Sequence, residues 1–64
     1  MNEARFIRLK DVGGDDILIN VSDITLVRKS PDTTHQVVCL RDLSSVKVKE
    51  SVREIEKLIE EAME

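Results

Sequence analysis

The stretch Asp16–Lys29, DILINVSDITLVRK, decides the fold. It reads as two apolar strands, Ile17–Val21 and Ile24–Lys29, joined by a polar corner at Ser22-Asp23. Both are rich in Ile, Val, Leu and Thr, which fit a pleated, half-buried surface. At the corner, Asn, Ser and Asp side chains can bond nearby backbone N–H groups and hold the chain in its turn.

Upstream, Arg5–Lys10 (RFIRLK) is a further candidate strand, with Phe6, Arg8 and Lys10 on one side and Ile7 and Leu9 on the other. Gly13-Gly14 then supplies the positive φ values that a tight hairpin turn requires. Downstream, Ser30–Thr34 breaks the chain around Pro31, which fits the second position of a turn and has no N–H to donate. A fourth strand, Gln36–Arg41, places Val37 and Cys39 opposite Val38 and Leu40. Asp42-Leu43-Ser44 is a turn without glycine, and a short strand Ser45–Lys49 follows, with Val46 and Val48 inward. Ser51 and Glu54 form an S-x-x-E capping box, which predicts a helix over Val52–Met63. Val52, Ile55, Leu58, Ile59, Ala62 and Met63 make its apolar stripe.

These elements predict an α+β fold in one domain, residues 1–64: a β-rich part over 5–49 and a helix over 51–63. The expected architecture is a small antiparallel sheet of four or five strands followed by one C-terminal amphipathic helix. At 64 residues the chain lies near the lower size for independent folding. Cys39 is the only cysteine, so no disulfide can form within the chain, and Cys39 with His35 is too small a set for structural zinc. Oligomerisation is the remaining support.

The strand pattern points the same way. A sheet with one solvated face alternates apolar and polar residues. Here Ile17-Leu18-Ile19, Leu26-Val27 and Val37-Val38-Cys39-Leu40 are apolar on both sides. The sheet must close into a barrel or share its second face with another copy. We expect a homo-oligomer whose interface draws on Ile17, Ile19, Val27, Val38, Leu40, Ile55, Leu58 and Ile59.

The net charge of −3 is unevenly distributed. Residues 1–49 hold eight Lys/Arg against seven Asp/Glu, whereas residues 50–64 hold two against six. A mildly basic β part and an acidic tail count against a dedicated DNA-binding protein. With Phe6 the sole aromatic residue, base stacking on single strands is not expected either. Charged residues interrupt any apolar run near Met1, and no stretch approaches the ~20 apolar residues of a membrane helix. The expected compartment is the cytoplasm, bacterial or that of a host if the chain is phage-encoded.

Ile17, Ile19, Asn20 and Ile24, followed by Val48-Lys49-Glu50-Ser51-Val52 and Ile55, resemble the pattern of the FlbD-like family of small bacterial proteins linked to flagella and swarming. That pattern is an I-x-I-N-x-x-x-I corner, then a hairpin, then V-K-E-S-V entering a helix. It covers most of the chain, which departs from it at Arg41–Ser45, where the family usually has an Asn/Gly turn, and in the polar loop Ser30–His35. The resemblance implies a fold and a regulatory role and carries no catalytic residues. A weaker likeness is to LytTR-type DNA-binding domains, which are larger.

Candidate chemistry is sparse. His35 and Cys39 lie about 13 Å apart along one strand, too far to act as a nucleophile pair. Asp11, Asp15 and Asp16 cluster at the glycine turn without the spacing of a calcium loop. No nucleophile, base and oxyanion donor assemble from these residues, so neither an enzyme nor a cofactor is expected. Cationic residues are more suggestive. Arg28 and Lys29 end one strand and Arg41 the next, and if these pair as a hairpin, the three could converge with Arg8, Thr33, Thr34 and His35 on an anion. The expected function is that of a small homo-oligomeric adaptor or modulator of a partner protein. Alternatives are a phage-type sponge that sequesters an anionic nucleotide signalling molecule between subunits, and a small DNA-binding regulator.

Overall fold

The computed structural model describes residues 5–31 and 35–64. Its elements, in chain order, are β1 (Phe6–Lys10), β2 (Asp16–Asn20), a short 3-10 turn (Val21–Asp23), β3 (Ile24–Lys29), β4 (Gln36–Leu40), β5 (Ser45–Val48) and α1 (Val52–Ala62). The fold is α+β, with five strands and one C-terminal helix, and each strand boundary falls within a residue of expectation.

The five strands form two sheets rather than the one expected, a β1–β2 pair and a three-stranded sheet ordered β3-β4-β5, antiparallel throughout. The chain turns between them at Asn20. Its Oδ1 accepts from the Ser22 N–H at 3.1 Å and from the Ser22 hydroxyl at 3.0 Å, which caps the 3-10 turn. Val21 still donates to the Arg5 carbonyl, so β2 completes its pairing with β1 before the chain swings away. β3 therefore leaves β2 behind and pairs with β4.

The two sheets meet at a seam. Asp11 bridges to Val48, and Lys49 donates to the Lys10 carbonyl. The Glu50 carboxylate then accepts the Lys10 N–H through both oxygens, at 3.0 and 3.1 Å. One residue on, Ser51 caps the helix, its Oγ accepting from Glu54 N–H while the Glu54 carboxylate accepts from Ser51 N–H. Val48-Lys49-Glu50-Ser51-Val52 is thus a continuous fold-building device: a core residue, two links to β1, a cap, and the first helical turn.

The core lies between the inner sheet faces and α1, which packs against β1 and β3. Ile7, Leu9, Ile19, Val38, Val48 and Ile55 are buried, with Ile17, Val21, Ile24, Val27, Leu40, Val46, Leu58, Ile59 and Ala62 packed on them. All eight residues expected at an oligomer interface lie in or against this core. Val52 and Met63, at the two ends of the expected helical stripe, are exposed.

Period-two alternation fails in β3. The register slips between Ile24 and Leu26, so Thr25 is an extra, bulged residue. Ile24 and Val27 both face the core as a result, and Leu26 points outward beside Arg28, where simple alternation grouped Leu26 with Ile24. Leu18 on β2 is also outward. The second sheet faces are therefore not covered by the described residues: Leu18 is 62% exposed and Leu26 50%.

Candidate functional site

The expected cationic cluster does not assemble. Antiparallel pairing sets Lys29 opposite Gln36 and Ile24 opposite Leu40. Arg41, the residue after Leu40, therefore sits at the opposite end of the hairpin from Arg28 and Lys29, roughly 15 Å away along the strands. It is held there by its own backbone N–H, which donates to Asp23 O at 2.7 Å, and by its Nη2, which donates to Ser22 O at 2.8 Å. The last residues of two antiparallel strands lie at opposite ends of the pair. Arg8 lies on β1 opposite Leu18, on the outer face of the other sheet. His35 is half-buried, its carbonyl accepting from Ser30 N–H. Thr33 and Thr34 lie outside the described residues.

What the register does bring together is a different set. Across the outer face of the three-stranded sheet, Arg28, Val37 and Lys47 form one cross-strand row, and Leu26, Cys39 and Ser45 form the next. Arg28 and Lys47 flank Val37 two strand spacings apart, about 10 Å. Cys39 is half-buried on this outer face, so the thiol is not part of the core. The surface thus has an apolar floor, Leu26–Val37–Cys39, with Arg28 and Lys47 on either side of Val37. Such a floor can seat an apolar side chain while Arg28 and Lys47 take carboxylate or phosphate oxygens. Lys47 was missing from the sequence-based set. Its outward direction was legible from alternation, but its neighbours were fixed only by the register.

Asp11 and Asp16 at the glycine turn already have structural partners. Asp11 Oδ1 accepts from Gly13 N–H at 2.9 Å and from Asp15 N–H at 3.0 Å. Asp16 pairs with Lys10 Nζ at 2.8 Å. That hydrogen-bonded pair holds the Asp16 carboxyl below its ordinary range and the Lys10 ammonium above its own. Among the described residues, no group of three or more His, Cys, Asp or Glu side chains is placed to hold a metal ion, and no helix is long and apolar enough to cross a membrane.

A second surface feature lies at the β4–β5 turn. Leu40 N–H donates to Ser44 O at 2.9 Å and Leu43 N–H to Leu40 O at 3.0 Å, closing a three-residue loop. Asp42 Oδ1 accepts from Ser44 Oγ at 2.6 Å and from its N–H at 3.0 Å. These bonds, the hydroxyl's foremost, hold the Asp42 carboxyl below the usual carboxylate range. Leu43 completes the loop at φ +73° and is 96% exposed. Beside it, Asp23, Leu40, Arg41 and Asp42 line an open depression of about 270 Å³.

Comparison with known protein families, with curated proteins and with solved structures finds no match for this chain.

Proposed function

We propose that this chain is a small, non-enzymatic, homo-oligomeric binding protein of the cytoplasm that modulates a partner protein. The observation that carries the reading is the outer face of β3-β4-β5, where Val37 lies between Arg28 and Lys47 and Leu26 and Cys39 form the adjoining row. Side chains left outside a core that is otherwise closed are what a docking surface needs, and the paired cations favour an acidic partner segment. The resemblance to the FlbD-like family supports the same role.

Co-purification of the full chain from its cells, beside an Arg28→Glu/Lys47→Glu variant, tests this. A partner retained by the wild type and lost by the folded variant is the expected result. Equal retention by both would remove this face from the reading.

Arg28 and Lys47 also favour a second reading, capture of an anionic, nucleotide-like molecule. Native mass spectrometry separates the two. A ligand-sized extra mass that disappears on denaturation and is absent from the double variant supports sequestration.

A further inference from the structure

Leu43 breaks two local rules at once. A non-glycine residue in the left-handed region brings its Cβ too close to the following carbonyl oxygen, and the closing position of a three-residue hairpin loop ordinarily carries glycine. A large apolar side chain also gains nothing from water, and Leu43 is 96% exposed. The surrounding turn is built to hold this conformation, through Leu40 N–H to Ser44 O, Leu43 N–H to Leu40 O, and both Ser44 donors to Asp42. Residues kept in sparsely populated backbone regions cluster where something outside the fold uses them.

The depression lined by Asp23, Leu40, Arg41 and Asp42 adjoins Leu43 along the chain, because Asp42 lines it and immediately precedes Leu43. Projection and depression therefore both belong to the β4–β5 turn. That is the arrangement a two-fold contact requires, since each copy must present both parts to the same patch of the other. The charges agree. Arg41 uses Nη2 on Ser22 O, and among the described residues the ion pair within 4.0 Å is Lys10–Asp16. The guanidinium has five N–H donors, and its rim neighbours Asp23 and Asp42 are anionic. A two-fold contact beside Leu43 therefore offers each copy both a cation and carboxylates to set against those of the other.

We propose that two copies of this chain pair through their β4–β5 turns, Leu43 of each entering the Asp23–Leu40–Arg41–Asp42 depression of the other. The inference rests on the homo-oligomeric reading above and names its contact. A dimer joined in this way carries two copies of the Arg28–Lys47 surface.

The test is sedimentation equilibrium of the full chain over roughly 1–100 μM, the range in which modest interfaces dissociate. It compares the wild type with Leu43→Gly, Leu43→Asn and Leu43→Met. Gly and Asn both accept the left-handed backbone, so these variants keep the turn and remove only the apolar side chain. The expected result is a concentration-dependent dimer for the wild type and Leu43→Met, with the dissociation constant raised about tenfold or more in Leu43→Gly and Leu43→Asn. Dimerisation unchanged in both of those variants would overturn this contact while leaving a homo-oligomer joined elsewhere. A wild type that stays monomeric throughout would overturn both the contact and the homo-oligomeric reading.

Discussion

The Nη1 of Arg5 donates a 2.6 Å hydrogen bond to the backbone oxygen of Ala62, joining the start of β1 to the end of α1 across 57 positions of sequence. The same nitrogen reaches Glu64 O at 3.1 Å. The last turn of α1 carries no basic residue of its own, so Arg5 supplies the positive charge that the helix C-terminus lacks. Its partner is the helix. Arg5→Ala should lower stability by about 1–2 kcal/mol, by loss of a charge-assisted hydrogen bond. Urea unfolding followed by circular dichroism measures it, and an unchanged midpoint would show that the contact contributes nothing in solution.

The two described residues at positive φ should respond in opposite directions to substitution. Leu43→Gly relieves a left-handed leucine and should raise monomer stability by about 0.5–1 kcal/mol, once the greater freedom of glycine in the unfolded chain is deducted. Gly14, at φ +90°, should lose about 1 kcal/mol on change to alanine. Denaturant midpoints below the dissociation concentration check both, and a loss of stability in Leu43→Gly contradicts the strain assignment.

Ser51→Ala should cost about 1 kcal/mol by uncapping α1. The cost should be larger if fastening β1 to the helix depends on the same link, because Glu50 and Ser51 are adjacent. Amide exchange at Glu54 and Ile55 reads it locally. Protection there equal to the wild type would mean that the cap is redundant.

Core and outer face are separated by Ile55→Ala and Leu18→Ser. Ile55 is fully buried, and truncating it should cost about 2–5 kcal/mol, comparable with the whole stability of a domain this small. Leu18 is mostly exposed, and serine there should change the stability of the monomer by no more than about 0.5 kcal/mol. A large loss at Leu18 would mean that this face is covered in solution.

The pH dependence at the β4–β5 turn follows from Asp42. Its carboxyl titrates below the ordinary value in the folded chain, because Ser44 bonds its charged form. Its contribution is therefore complete above the unfolded value of about 3.9 and is lost as the pH falls through the lowered one. Ser44→Ala removes the hydroxyl donor and leaves the amide, so the Asp42 midpoint should move part of the way up. Carboxyl carbon NMR follows the titration, and an unmoved midpoint rejects the bond as its cause.

Local chemistry alone placed most of what is regular in this protein. The apolar runs mark every strand, Gly13-Gly14 the first hairpin, and Ser51 with Glu54 the helix start, because each signal acts over a few residues. Two features were not local. A single bulge at Thr25 reversed the facing of Leu26, and a 3-10 turn capped by Asn20 divided the strands between two sheets. Both are decided by which hydrogen bonds the whole chain can satisfy together. The same holds for function. Which residues are cationic is plain from the sequence, but which of them are neighbours depends on strand direction and register. Antiparallel pairing separated Arg41 from Arg28 and joined Lys47 to it. Only the folded chain shows that Leu43, an ordinary residue on paper, stands exposed in a conformation that leucine disfavours.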